Sequence, residues 1–279
     1  MKIEVRYQTN YRYESEVGFS PHIFRLFPKT DYFVSIEQIE FATNEGARVH
    51  HRRDIFDNPI ASCFYPDRGR DLQAELSMTL QLRQRNAFQF LLASHAVDFP
   101  FAYHSDEQRV LAPYLACAGK IELPFWQQDK KATVPALVEL NDAIHASIRY
   151  ERRDEGVARA PAETLALGSG ACRDFAVLLA ETLRGLGVAA RMASGYLCEF
   201  GEEKKRAEGA LHAWVEAFLP GAGWVGMDPT NGIFCNQNHV VAAVGLGPPD
   251  VSPVSGRYYN DTPVASEMSA TLELILCDP

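Results

Sequence analysis

One cysteine lies where a glycine-rich turn runs into an apolar helix. Cys172 follows Gly168 and Gly170, and apolar residues such as Phe175 and Leu179 come after it at helical spacing. Backbone N–H groups at a helix start are unpaired and carry partial positive charge, which stabilises a thiolate and lowers its pKa. A lone cysteine is about as often a small buried hydrophobic residue, so the position of Cys172 needs support from other residues.

A histidine and an aspartate later in the chain have the side chains that a thiol nucleophile requires. His212 opens a segment, 211–219, whose side chains alternate between two faces, and Asp228 ends a second segment, 224–228, beyond a Pro-Gly-Ala-Gly turn. Taken singly, the histidine fits a strand and the aspartate fits a turn. Together with Cys172, they predict a nucleophile, a base and a carboxylate that orients the base.

The pairing register of this hairpin decides whether the histidine and the aspartate meet. If Phe218 pairs with Trp224, His212 and Asp228 are diagonal neighbours about 7–8 Å apart at the backbone, within reach of a side-chain hydrogen bond. A slip of one residue would place them on opposite faces. The face of His212 also carries Trp214 and Trp224, and we predict that these aromatic side chains bind substrate as walls of a cleft.

Composition excludes several classes of function. The 279 residues carry a net charge of −9, which disfavours a nucleic-acid partner. The start of the sequence lacks a signal core and no window is apolar enough for a membrane helix, so we expect a cytoplasmic protein without a membrane partner. The six cysteines include no C-x-x-C pair and no acidic loop of the EF-hand type occurs, so no metal or other cofactor is expected.

The fold class predicted is α+β. Residues 1–104 contain short alternating segments separated by turn signals, which predicts an antiparallel β-sandwich. Residues 105–135 form a helical connector in this interpretation. Residues 136–279 are assigned to a catalytic domain in which helices precede antiparallel strands and which ends in a C-terminal strand.

Four motifs resemble those of one known group of enzymes. They occupy residues 168–176, 194–197, 212–215 and 223–232 and read GSGACRDFA, SGYL, HAWV and GWVGMDPTNG. Together they resemble the transglutaminase-like cysteine enzymes of bacteria over about residues 136–245, and the first hundred residues are similar to the β-rich N-terminal region of that branch. The resemblance implies a papain-like fold, in which a central helix carrying the cysteine packs against an antiparallel sheet.

The resemblance also implies roles for individual residues. Cys172 would be the nucleophile, His212 the general base and Asp228 the acid that orients it, a catalytic triad. Asp174 matches the same motifs and is interpreted as a structural residue of the first helical turn. His239 matches too, and we interpret it as a structural histidine beside the site.

The reaction class follows from the thiol, but the acceptor stays open. The thiolate would attack an amide carbonyl of a peptide or protein substrate and form a thioester. Attack by water would make the protein a cysteine protease or amidase, which we favour because water needs no second binding site. Attack by an amine would make it a transglutaminase or another acyltransferase. A non-catalytic peptide-binding module is the alternative from a different class, and the intact cysteine, histidine and aspartate argue against it.

Overall fold

A computed structural model describes residues 1–117, 119–153, 156–198, 200, 206–208 and 211–277. The strands are β1 (Lys2–Phe19), β2 (His22–Phe24), β3 (Val34–Thr43), β4 (Arg48–Arg53), β5 (Pro59–Phe64), β6 (Gly69–Leu82), β7 (Asp98–Phe99), β8 (Lys131–Ala132), β9 (Arg149–Tyr150), β10 (Ser169–Gly170), β11 (Ala190–Leu197), β12 (Arg206–Glu208), β13 (Leu211–Leu219), β14 (Gly223–Asp228), β15 (Ile233–Phe234), β16 (His239–Gly245), β17 (Val254–Ser255), β18 (Tyr258–Tyr259) and β19 (Ser266–Cys277). The helices are α1 (Ser105–Leu115), α2 (Thr133–Ser147), α3 (Pro161–Leu167), α4 (Cys172–Gly185) and α5 (Pro248–Val251), with a 3-10 turn at Ser94–Ala96. In the described part of the chain, no helix is both long and apolar enough to cross a membrane.

The N-terminal strands form two facing antiparallel layers. One layer has the strand order β12-β19-β1-β6-β3 and the other has the order β17-β2-β5-β4. Every second residue of β1 from Ile3 to Tyr7 is buried, and these side chains share a hydrophobic core with Phe24 and Cys63 of the second layer. Alternating side chains that bury one face of each layer are the basis of a sandwich. The predicted antiparallel β-sandwich is confirmed.

The last strand, β19, belongs to the N-terminal sandwich. β19 pairs with β1 along its whole length, from Lys2 opposite Cys277 to Tyr13 opposite Ser266, and so becomes a member of the first layer. The sequence predicts this strand as the end of the segment 136–279. The structure differs because the alternation that marks a strand can be seen in the sequence, whereas a pairing partner far away in the sequence leaves no local signal.

The C-terminal half contains a five-stranded sheet, which we call the core sheet, with helices packed against one face. The sheet is antiparallel, with the order β15-β14-β13-β11-β16. Phe175 and Leu179 of α4 are buried against Met192 of β11 and Val215 of β13, and α2 adds Leu140 to the same core. A central helix packed on an antiparallel sheet is the arrangement that the motifs imply, and the predicted α+β class is confirmed.

The hairpin of β13 and β14 has the register on which the site prediction depends. Phe218 lies opposite Trp224 and Val215 lies opposite Met227. The turn between the strands contains Gly221 at φ 87°, where its Cα closely approaches the backbone near Leu91. This register places His212 and Asp228 on the same face of the sheet as diagonal neighbours.

A turn of the sandwich contacts the core sheet on the face that carries Trp214. The Asn58 side chain is fully buried, donates from Nδ2 to the Val244 carbonyl at 2.8 Å and accepts from the Val244 N–H at 2.8 Å. Asp54 also accepts from Asn58 Nδ2, at 3.0 Å. Phe56 of the same turn packs against the cluster that contains Trp214. The sandwich and the core sheet are therefore joined by specific polar contacts as well as by apolar packing.

Asn58→Ala should lower the free energy of unfolding by about 2 kcal/mol or more, because it leaves the N–H and the carbonyl of Val244 buried without their partner. Chemical denaturation monitored by circular dichroism measures the change. The control is Gln38→Ala, an exposed amide on β3 that should change stability by less than about 0.5 kcal/mol. Equal stability of the two variants would contradict the role of Asn58 as a clamp.

Candidate active site

Cys172 is the first residue of α4 and lies between two glycines and a buried aspartate. Gly168 ends α3 in the left-handed conformation, at φ 60°, and Gly170 lies so close to Asp174 that a Cβ there would be 2.8 Å from the aspartate Cβ. The thiol is partly exposed. The glycine-rich sequence therefore serves to turn the chain sharply and to bring the cysteine to the helix start.

Asp174 fixes the start of this helix. Its carboxylate is fully buried and accepts from the N–H of Ala171 at 2.8 Å, which is one half of a capping box. Arg153 donates to both carboxylate oxygens at 2.8 and 2.9 Å, and the backbone N–H of Arg159 donates at 2.8 Å. The interpretation of Asp174 as a structural residue agrees with these contacts, which tie the segment before α3 to the nucleophile's helix.

His212 is held by Asp228 on one side and faces the cysteine on the other. Its Nε2 donates to Oδ2 of Asp228 at 2.8 Å, which leaves Nδ1 for the Cys172 thiol, and the imidazole and the thiol shift each other's pKa. His212 lies opposite Gly195 of the neighbouring strand. His212 is 9% exposed and Asp228 is fully buried, while Cys172 is partly exposed. The order Asp228, His212, Cys172 thus runs from a buried carboxylate to a partly exposed cysteine.

Asp228 has a complete set of hydrogen-bond donors. Besides His212, Oδ2 accepts from Asn231 Nδ2 at 2.7 Å and from His239 Nε2 at 3.1 Å. Oδ1 accepts from the backbone N–H groups of Thr230 at 3.0 Å and Asn231 at 3.3 Å. A buried carboxylate with this many donors is kept ionised and cannot rotate without breaking several bonds.

The electrostatics of the pair favour a thiolate beside an imidazolium. Burial would raise the pKa of the Cys172 thiol, but the hydrogen bond and charge of His212, the backbone N–H of Ala213 and the charge of Arg173 outweigh burial and lower the pKa. Burial would likewise lower the pKa of His212, yet its hydrogen bonds to Asp228 and Cys172 raise the pKa to about 10. Hydrogen bonds from His212 and His239 overcome burial and hold the pKa of Asp228 far below its ordinary value.

Comparison with known proteins agrees with this geometry. Residues 124–229 match the model of the Transglutaminase-like superfamily, and residues 3–81 match the Bacterial transglutaminase-like N-terminal region. The chain carries a transglutaminase-like core. The resemblance inferred from the motifs is thereby confirmed for the core and for the N-terminal region.

Relatives of the transglutaminase-like chain are found among mycobacterial proteins and among solved structures. An uncharacterized protein of Mycobacterium tuberculosis is 31% identical over 140 residues, 48% of this chain and 45% of that protein, and one of Mycobacterium leprae is 37% identical over 91 residues, 32% of each. The match spans about half the length of these curated relatives or less. The crystal structure of a "Putative Cysteine Protease" from Cytophaga hutchinsonii covers 99% of this chain and 97% of its own, with a TM-score of 0.66 at 16% identity, which shows a shared fold.

The two tryptophans that were predicted to line the cleft, Trp214 and Trp224, are placed differently from the prediction. Trp214 is fully buried, stacks 6.1 Å from the His212 ring and meets the His239 ring edge-on at 5.4 Å. A side chain with no exposed surface cannot bind substrate in this conformation, so the interpretation of Trp214 as a cleft wall is corrected: its ring supports the imidazoles. Trp224 lies at the other end of β14 from Asp228, under the Arg191 guanidinium at 4.2 Å and beside Tyr114. The structure does not bring Trp224 to Cys172, His212 and Asp228.

Several contacts of the site were not foreseen from the sequence. Asn231 reaches Asp228 through an Asp-Pro-Thr-Asn turn, and the tendency of aspartate to bond the N–H groups two or three residues later could have indicated it. Arg153 has no comparable signal, because its contact with Asp174 bridges 21 residues of chain. Among the described residues, no group of three or more His, Cys, Asp or Glu side chains is arranged to hold a metal ion.

Cys172 should be the most rapidly alkylated of the six thiols near neutral pH. Burial raises the pKa of Cys63 to about 11 and that of Cys198 to about 12, and it raises the pKa of Cys235 as well, whereas the pKa of Cys172 is lowered. At pH 6.5 we expect Cys172 to react with iodoacetamide at least about tenfold faster than the exposed Cys117, because the thiolate is the nucleophile. Peptide mapping by mass spectrometry after short exposures gives the rates, and a faster Cys63 or Cys235 would contradict the assignment.

Proposed function

We propose that this protein is a cysteine hydrolase that cleaves an amide bond of a peptide or protein through a thioester on Cys172. The observation that carries the proposal is the 2.8 Å hydrogen bond from His212 to Asp228, together with the effect of the same imidazole on the Cys172 thiol at the start of α4. The same chain of contacts in unrelated folds defines nucleophile, base and orienting acid. The membership of a superfamily that includes cysteine enzymes supports the proposal, as does the fold shared with the Cytophaga hutchinsonii protein.

The proposed first step is acylation. The Cys172 thiolate attacks the amide carbonyl carbon, and the negative charge of the tetrahedral intermediate is stabilised in part by the Cys172 backbone N–H at the helix start. The C–N bond then breaks, the amine leaves with the proton that the His212 imidazolium donates, and a thioester remains. Asp228 keeps the His212 ring oriented and stabilises its charged form through the 2.8 Å hydrogen bond.

The proposed second step is hydrolysis of the thioester. Neutral His212 takes a proton from a water molecule, whose oxygen attacks the thioester carbonyl, and the C–S bond breaks to release a carboxylic acid and the Cys172 thiolate. The regenerated imidazolium restores the starting ion pair. An amine in place of water would give acyl transfer, which we treat as an outcome of the experiment below.

We place this chemistry in a reducing compartment, the cytoplasm. All six cysteines are free, and a catalytic thiol must stay reduced to act as a nucleophile. Fractionation of the native cells followed by immunodetection tests the location, and recovery of the protein only from an oxidising compartment would contradict it.

A substrate screen tests the reaction. The protein is mixed with a library of peptide amides in water enriched in ¹⁸O, with and without a primary amine, quenched in acid and analysed by mass spectrometry. Hydrolysis predicts an acyl adduct on the peptide that contains Cys172 and one ¹⁸O atom in the released acid, while an amine adduct would show that acyl transfer is the reaction. The control is Cys117→Ala, which removes an exposed thiol and should leave the adduct unchanged. Absence of any adduct, together with a Cys172 no more reactive than Cys117, would favour a non-catalytic module.

A further inference from the structure

A second imidazole bonds the same carboxylate oxygen that orients the first. His239 Nε2 lies 3.1 Å from Oδ2 of Asp228, the oxygen that also accepts from His212 at 2.8 Å. His239 enters from β16, and His212 from β13, so the carboxylate joins two strands separated by β11. The His239 side chain is 1% exposed and the Asp228 side chain is fully buried. Water is therefore excluded from this contact, and the His239 hydrogen bond has no solvent competitor.

The tautomer of His239 is set by its own neighbour. Nδ1 accepts the backbone N–H of Asn236 at 3.4 Å, so the ring proton must be on Nε2, where it points at Asp228. The backbone of His239 is held in the same loop, since its N–H donates to the Asn236 carbonyl at 3.1 Å. The edge-on contact with Trp214 at 5.4 Å fixes the plane of the ring. His239 is thus an oriented, neutral donor.

We propose that His239 is a positioning residue of the catalytic chain: its Nε2–H holds the Asp228 carboxylate in the orientation that His212 requires. The proposal rests on the proposed function, because it assigns a role within the same site. Thr230 and Asn231 also hold the carboxylate, but without the His239 hydrogen bond the pull of Asn231 Nδ2 on Oδ2 would be opposed, among the described residues, by His212 alone. Because His239 holds Oδ2 from β16, Oδ2 stays in line with His212 Nε2. His239 therefore holds Asp228, Asp228 orients His212, and His212 acts on the Cys172 thiol.

Other groups near this chain belong to different contacts. Cys172 interacts with His212 and Arg173, and Cys235, after β15, has Asp228, Glu216 and Arg85 as charged neighbours. Glu216 is paired with Arg191 at 2.7 Å. The Cys235 thiol has a raised pKa because of burial, with the nearby Asp228 adding to the effect, so it stays neutral near pH 7. The two rings that bond the Asp228 carboxylate are those of His212 and His239.

Two substitutions separate the donor from the bulk of the ring. His239→Gln keeps an N–H donor near the position of Nε2, and His239→Phe keeps an aromatic ring while removing the donor. The readout is the rate of Cys172 alkylation by iodoacetamide between pH 5 and pH 9, measured on the full chain by mass spectrometry, which requires no substrate. Thermal unfolding of each variant is measured in parallel, so that a loss of fold is detected separately.

We expect His239→Phe to move the acid limb of the alkylation profile to higher pH, with a rate at pH 6 about tenfold below that of the natural protein and equal rates at pH 9. A tenfold change corresponds to a shift of about one pKa unit in thiolate formation. His239→Gln should stay within about threefold of the natural rate at every pH. A purely structural histidine would change the unfolding temperature and leave the profile of the folded protein unchanged.

The outcomes distinguish this inference from the proposed function. If the natural protein shows a reactive Cys172 at pH 6 and the His239→Phe profile coincides with it, the positioning role is overturned and the proposed function stands. If His239→Gln behaves like His239→Phe, the donor is not the property that matters and the inference is also overturned. If Cys172 of the natural protein reacts no faster than an ordinary thiol at pH 6, both the inference and the proposed function fail.

Discussion

Cys172→Ala is expected to abolish acyl-adduct formation and to lower turnover by about 10⁶-fold, the scale of the loss on removing a nucleophile from a serine triad. The change removes the atom that forms the thioester, while the small side chain of alanine suits the first turn of α4. Asp174 and its arginine partner, which hold the helix start, are untouched. Turnover is measured on the first peptide amide that the library screen identifies.

The matched control for this prediction is Cys117→Ala. Cys117 is exposed and lies after α1, away from the site, so its removal should leave turnover within about twofold of the natural value. Far-ultraviolet circular dichroism and the unfolding midpoint verify that both variants are folded. If the Cys172→Ala protein retained turnover, a thioester at this residue would be excluded and the reaction would have to proceed by a different mechanism.

Asp228→Asn should lower turnover by at least about 10²-fold while the protein still folds. An amide can replace only part of the carboxylate: its oxygen can accept the two backbone N–H groups that Oδ1 accepts now, but its NH₂ group would then face the His212 and His239 donors. His212 would lose the partner that fixes its tautomer and stabilises its charged form. The control is Asp142→Asn, an exposed aspartate on α2. An Asp228→Asn protein with natural turnover would remove Asp228 from the site.

The same substitution should show a characteristic dependence of stability on pH. Because the pKa of His212 is raised from 6.5 to about 10, its contribution to stability is complete below about pH 6.5 and is lost as the pH rises toward 10. Because the pKa of Asp228 is lowered from 3.8, its contribution is complete above that pH and is lost as the pH falls. The difference in unfolding temperature between the natural protein and Asp228→Asn should therefore be largest between about pH 4 and pH 6.5, and a difference that grows toward pH 10 would contradict this sign.

Local sequence patterns predicted the parts of the site that depend on neighbouring residues. The turn between β13 and β14, with alternation on each side, predicted a hairpin, and the register assumed for it, Phe218 opposite Trp224, is the one that the structure has and that brings His212 beside Asp228. The glycine-rich approach to α4 likewise predicted a helix that begins at Cys172. Both predictions succeed because a tight turn and a helix start are determined by interactions a few residues apart.

The sequence alone did not predict contacts between distant segments. Alternation placed Trp214 on the same face as His212, but it gave no indication that Phe56 of the sandwich would cover that face and bury the ring. The clamp of Asn58 on Val244 joins residues that are 186 positions apart, and nothing in a single sequence marks the two as partners. Burial and long-range pairing are properties of the assembled layers, which the pattern of one segment does not contain.

The pairing of β19 with β1 has a consequence for the way the protein is made. On the ribosome, Lys2 to Tyr13 are synthesised more than 250 residues before the strand that pairs with their outer edge. Until residues 266–277 emerge, β1 has β6 on one side and unpaired N–H and carbonyl groups on the other, a surface that other nascent chains can join. We therefore expect the first sheet to be completed only after residues 266–277 have left the exit tunnel, by which time the core sheet, whose strands lie between β1 and β19 in the sequence, has already been synthesised.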